Sequence, residues 1–210
     1  MPPRRQNLHN NNSQIGGSYD DTNMADITLA WMISQLSPFL TFSPSYIPWQ
    51  HDLNTEFYNH RHIPARPWGL GKIYNSMKGI SAIAGSKTRT PAHYSTSDPK
   101  TGKPTTRELV DTQEYVHASV RVRMGVHNRG TEDQGVYRPP ALKGWRLVGE
   151  ATDPERNHLR WEFGSGKMGA ERTMLEDGMG EVEMELLERS PEAWEIITKG
   201  PVKRRWTEGV

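Results

Sequence analysis

Apolar residues recur at helical spacing over residues 24–36. Leu29, Met32, Ile33 and Leu36 form one apolar face, and Ile27, Ala30 and Trp31 form most of another. Only Asp26, Thr28, Ser34 and Gln35 interrupt them, and a helix apolar on most sides belongs in an interior. Gly16 and Gly17 upstream permit backbone angles that other residues resist. Asp20, Asp21, Thr22 and Asn23 are candidate caps, and Asn23 with Asp26 has the spacing of a capping pair. Pro38 places the helix end near Gln35 or Leu36. Little sequence precedes this helix to cover it, so the pattern predicts a piece of a larger design.

Downstream, Pro48 suits a first helical position, and Trp49, Leu53 and Phe57 recur at spacing four, predicting a second helix over 48–58. A short helix is expected over 73–84, weakened by Gly79. Residues 86–107, rich in Thr, Ser, Pro, Lys and Gly, read as a long exposed loop. Val116, Ala118, Val120, Val122 and Met124 alternate as a strand would, while Val116, Val120 and Met124 also fit a helix. Residues 128–143 read as another loop. Strands over 145–148 and 159–163 are expected to pair as a hairpin. Residues 180–189 predict a helix with Val182 and Leu186 inward, and Ser190-Pro191 starts another, anchored by Trp194 and Ile197.

Composition sharpens this reading. The apolar share of 34% and the mean hydropathy of −0.79 are low for a self-sufficient core. A net charge of +1 gives no electrostatic case for nucleic acid. Without Cys there is no disulfide, thiol catalysis or thiolate metal site. The chain shows no secretory segment and no run long enough to span a bilayer, which predicts a cytoplasmic protein. Asn11-Asn12-Ser13 fits a glycosylation sequon, but in that compartment it is a polar loop.

Several stretches resemble one family. Ser13-Gln14-Ile15-Gly16-Gly17-Ser18-Tyr19, then Ala25-Asp26-Ile27-Thr28-Leu29-Ala30-Trp31-Met32, are similar to the segment after the last catalytic residue of certain α/β-hydrolases. These are the lipase effectors of bacterial type VI secretion and their uncharacterised fungal relatives. The fungal branch also resembles this chain at Pro44-Ser45-Tyr46-Ile47, Arg66-Pro67-Trp68-Gly69-Leu70-Gly71, Ser86-Lys87-Thr88-Arg89-Thr90-Pro91 and Glu114-Tyr115-Val116-His117. The likeness covers most of residues 13–190. It tips the ambiguous stretch to a helix over 117–127. It implies ester hydrolysis by serine, histidine and aspartate, the serine lying in a Gly-x-Ser-x-Gly elbow.

That elbow is missing from these 210 residues. Gly164-Ser165-Gly166 and Gly79-Ile80-Ser81 both fail the spacing. Asn12 falls at the family's histidine position, and an amide cannot act as a general base near neutral pH. His9, three residues earlier, is the nearest substitute and otherwise a solvated tail residue. Asp20 and Asp21 read as caps before acid–base groups. Gly164-Ser165-Gly166-Lys167-Met168-Gly169 matches a dinucleotide fingerprint but lacks a β-α-β setting, which makes it a turn. His60-Arg61-His62 has metal-like spacing without a third ligand. His117 reads as a buried, hydrogen-bonded residue. Trp49, Trp68, Trp145, Trp161 and Trp194 could line a lipid pocket, though core or hairpin packing is the simpler role.

The expected fold is therefore an α/β-hydrolase-derived fragment, mostly helical, with one short β-hairpin, long loops and the main parallel sheet largely missing. Residues 1–14 are expected to be a disordered tail, 15–200 the C-terminal part of the domain, and 201–210 a loose basic tail. The expected function is a degenerate or partial member of a phospholipase-like serine hydrolase family, inactive alone, with no cofactor and no metal. Its substrate would be a lipid or ester only if the N-terminal part is present. The alternatives are a pseudoenzyme that binds a protein or lipid through residues 24–36, and one half of a two-chain hydrolase.

Overall fold

The apolar helix forms as the pattern predicts. In the computed structural model α1 spans Asn23–Leu36, and Met24, Ile27, Ala30 and Ile33 are buried along it. The structure describes residues 5–7, 19, 21–75, 88–109, 111–149, 159–164 and 171–198, with residues 5–7 described for their backbone alone. The cap differs from the expected Asn23–Asp26 pair. Asp21 Oδ1 accepts the Asn23 N–H at 3.2 Å, and Thr22 Oγ1 donates to Asp26 at 3.1 Å. Asn23 already lies inside the helix and turns its amide toward Tyr58 and Arg66.

The cover for α1 comes from later in the chain, which the helix's early position concealed. It packs on α2 (Tyr46–His60) and on α4 (Glu181–Glu188). With Trp68, Leu70, Ala118, Val122, Leu187, Ala193 and Ile197 it closes one apolar core. The surface expected to be bare around 24–36 is thus mostly covered, with Met32 left 40% exposed.

The other core lies on a sheet larger than the single expected hairpin. Among the described residues five strands run in the order β1-β4-β7-β6-β5. They are β1 (Arg5–Asn7), β4 (Glu114–His117), β5 (Trp145–Val148), β6 (Arg160–Phe163) and β7 (Arg172–Asp177). The expected hairpin is present, Trp145 pairing with Phe163 and Val148 with Arg160. β7 extends it antiparallel to β6, and β4 and β1 continue parallel to β7. Val116, Trp145, Trp161 and Met174 bury one face against Val120, Tyr137 and Leu142. The opposite face carries the Arg146–Glu162–Arg160 ion pairs and leaves Leu175 50% exposed. This mixture of helices and two small sheets forms no closed barrel.

Three expectations change. Arg5–Asn7, assigned to a disordered tail, form a strand. An edge strand is held by its backbone and needs no apolar alternation, so its sequence carries little signal. The expected loop over 86–107 contains a hairpin of β2 (Ser95–Ser97) and β3 (Pro104–Glu108), antiparallel to each other. Its burial is slight, which leaves no apolar period to read. Residues 172–177, unassigned in the sequence, are β7. The ambiguous segment resolves into both of its readings in turn: Glu114–His117 is strand and α3 (Ala118–Gly125) is helix. α5 (Pro191–Thr198) follows Ser190 as predicted. The helix expected over 73–84 lies mostly outside the described residues.

Candidate functional site

β1, β4 and β7 run parallel, and their register sets Asn7, His117 and Asp177 at one end of the sheet. Open α/β sheets collect their ligands at the carboxyl ends of parallel strands. Here that end is filled by side chains. His117 caps α3, its Nδ1 accepting the Ser119 N–H at 3.2 Å. Ser119 Oγ lies 2.8 Å from the same nitrogen, and Glu183 Oε1 lies 2.5 Å from Nε2. Glu183 Oε2 accepts the Gly180 N–H at 3.1 Å, so one carboxylate starts α4 and holds the histidine. Trp31 Nε1 donates to Asp177 at 3.0 Å.

Ser119, His117 and Glu183 have the residue types of a hydrolytic triad, but not its access. The serine is 4% exposed and the other two side chains are wholly covered. Gly69 packs on Ser119, where an added Cβ would sit 3.4 Å from its own Cβ, and the Trp68 ring lies 5.7 Å from the His117 ring. No carbonyl could approach this hydroxyl while the packing holds. The buried, hydrogen-bonded role expected for His117 is what the geometry provides.

A pocket of about 440 Å³ opens beside the start of α1. Tyr19 and Tyr74 stack on one wall, with centroids 4.1 Å apart and planes 7° from parallel. Lys72 Nζ lies 4.9 Å from the Tyr74 ring, and Arg61 covers Phe57. Arg66 is clamped by Asp133 through bonds of 2.7 and 2.6 Å. That bond holds the guanidinium above its ordinary range and the Asp133 carboxyl below its own. Asp21, proposed as a cap, also accepts the Lys72 N–H at 2.8 Å.

The pocket's acidic side is a strained turn. Glu132 and Asp133 have φ of 53° and 60°, left-handed values that side chains resist. The turn is tied down by Glu132 N–H to the Ile73 carbonyl at 2.7 Å and by the Lys72–Glu132 ion pair at 3.1 Å. Buried Tyr58 has its phenol pushed upward, first by desolvation, and stays protonated. The walls therefore offer paired charges and aromatic faces for binding. Among the described residues the hydroxyls that line the space are phenols, and no serine or histidine lines it. Sequence reasoning missed Arg66, Lys72 and Asp133 because their partners lie far along the chain.

The other predicted positions separate. His9, Asn12 and Asp20 lie outside the described residues, as do the sequon and residues 165–169 of the glycine-rich phrase. Gly164 directly follows β6, and β6 pairs antiparallel with β7, not parallel as the strands of a β-α-β unit do. His60 and His62 are both exposed at the end of α2. No cluster of metal-ligating side chains occurs among the described residues. Trp68, Trp145 and Trp161 are core residues, while Trp49 and Trp194 are 52% and 37% exposed. No described helix is long and apolar enough to cross a membrane.

No family model, curated protein or solved structure matches the chain.

Proposed function

We propose that this chain is the C-terminal part of a lipase effector-like α/β-hydrolase and that alone it does not turn over esters. One observation carries this reading. The parallel side of the sheet ends on β1, which leads into the Ile15-Gly16-Gly17 phrase and then α1. Further parallel strands would add at that edge, and Asn7 of β1 lies at the carboxyl end of the sheet. A hydrolase places its histidine at that end. The missing elbow and the enclosure of Ser119 both argue against independent chemistry.

Purified chain should show no serine-dependent ester turnover and no covalent labelling by a fluorophosphonate probe. The transcript read upstream of the Met1 codon should continue in frame through an apolar strand and a Gly-x-Ser-x-Gly turn. Labelling of the chain alone, or a message that starts at Met1, would overturn the reading.

A further inference from the structure

From residue 27 to residue 51 the chain carries no Asp, Glu, Lys or Arg, although such residues make up 24% of it. The middle of this run is the turn between α1 and α2. Phe39 is 81% exposed there and Leu40 53%, with Tyr46 at 45% and Trp49 at 52% beside them. The Tyr46 and Trp49 rings stand 5.7 Å apart. We infer that this uncharged corner, led by Phe39 and Leu40, inserts into the surface of a lipid bilayer.

At the tip that would enter the bilayer, the backbone N–H groups are bonded within the chain. Backbone polar groups entering an apolar phase need internal partners. Ser37 N–H donates to the Ile33 carbonyl at 2.8 Å, and Phe39 and Leu40 N–H donate to Leu36 at 2.8 and 2.9 Å. Pro38 between them has no N–H to satisfy. At the other side, Tyr46 N–H donates to Ser43 at 3.2 Å and Trp49 N–H to Ser45 at 3.1 Å. The side chains are ordered for an interface as well. Phe39 and Leu40 are the corner's most exposed apolar side chains, and Tyr46 and Trp49, residue types that favour the headgroup level, follow within ten positions. Charge returns at Asp52, near Arg189 at 4.0 Å, both well exposed. His51 stays neutral near pH 7, its imidazole held down by burial and by Arg189.

With no basic cluster at the corner, binding draws on apolar transfer rather than on anionic lipid, and one short corner gives reversible attachment. The inference is independent of the hydrolase reading, since vesicle binding and ester turnover are measured separately.

The test is flotation of the full chain with phosphatidylcholine vesicles at low and high salt. Binding should be insensitive to salt. The double variant Phe39→Ala/Leu40→Ala should bind at least about tenfold more weakly, the scale expected for removing two inserted side chains. Its melting temperature should not move, because both residues are exposed. A Phe39→Trp variant should be quenched by brominated acyl chains. Failure of the wild type to float, or equal flotation of Phe39→Asp, would overturn the inference. So would a corner that changes the oligomeric state when mutated but ignores vesicles, which would assign it to a protein partner.

Discussion

His117 Nε2 and Glu183 Oε1 meet at 2.5 Å with neither side chain exposed, across 66 positions of sequence. The contact locks the β4–α3 junction to the first turn of α4. Removing one partner strands a buried polar group, a cost well above the net gain of an ordinary hydrogen bond. Glu183→Ala should destabilise the fold by about 3 kcal/mol in urea unfolding. Ser119→Ala should cost less, about 1 kcal/mol, because the Ser119 N–H still caps on Nδ1.

Arg121 and Glu176 form a second buried link. Arg121 Nη2 lies 2.7 Å from Glu176, and its Nη1 donates to the Ile196 and Ile197 carbonyls at 2.8 and 3.0 Å. The guanidinium thus ties α3 to β7 and to the end of α5. Glu176→Ala or Arg121→Ala alone should cost roughly 3–5 kcal/mol. The pair Arg121→Met/Glu176→Leu should lose much less than the sum of those two, since no charge is left stranded. A double-mutant cycle by chemical denaturation measures the difference.

Asp26 should make the protein more stable in mild acid than its other carboxylates would suggest. Burial lifts its carboxyl from 3.8 to about 6, against the lowering by Thr22 and Asn54. Between those values the folded state holds more protons than the unfolded one. Its contribution is fully present below the unfolded value and is lost as pH rises through about 6. Asp26→Asn keeps an oxygen to accept the Thr22 and Asn54 bonds and removes the buried charge. The variant should gain on the order of 2 kcal/mol at pH 7 and almost nothing at pH 4, read from paired unfolding curves.

Gly180, at the start of α4, packs tightly on Ser34 of α1. A Cβ built there would collide with the Ser34 Cβ, while its φ of −80° strains no residue. Gly180→Ala should therefore destabilise through packing alone, by about 2 kcal/mol. Ser34→Gly should recover part of that loss in the double variant, less roughly 1 kcal/mol for glycine inside a helix. Additive losses in the melting data would contradict this account.

Local signals carried several elements well. α1 declares itself because its apolar residues repeat at helical spacing and Pro38 follows. Trp161 and Phe163 alternate with charged neighbours, which makes β6 and its hairpin readable. Ser190-Pro191 starts α5 in the manner these residue types favour. β1, β2 and β3 left no comparable trace. They are short or exposed and are held by backbone bonds that any sequence can make. Within the candidate sites, the burial and hydrogen bonding of His117 were readable, but nothing along the chain marked Glu183, 66 positions away, as its partner. Asp21 was legible as a cap for α1, but not as the pocket residue that receives the Lys72 N–H.

By itself the sequence determined the helices at 23–36 and 181–198, the hairpin at 145–163, the absence of cysteine chemistry and the absence of an elbow. These are properties of spacing and residue type within one turn or one strand. Tertiary structure decided which later segments cover α1, how β1 joins a parallel sheet, and which carboxylates face Arg66, Arg121 and His117. Those outcomes depend on contacts between residues tens of positions apart, and backbone pairing and buried charge leave no periodic mark along the chain.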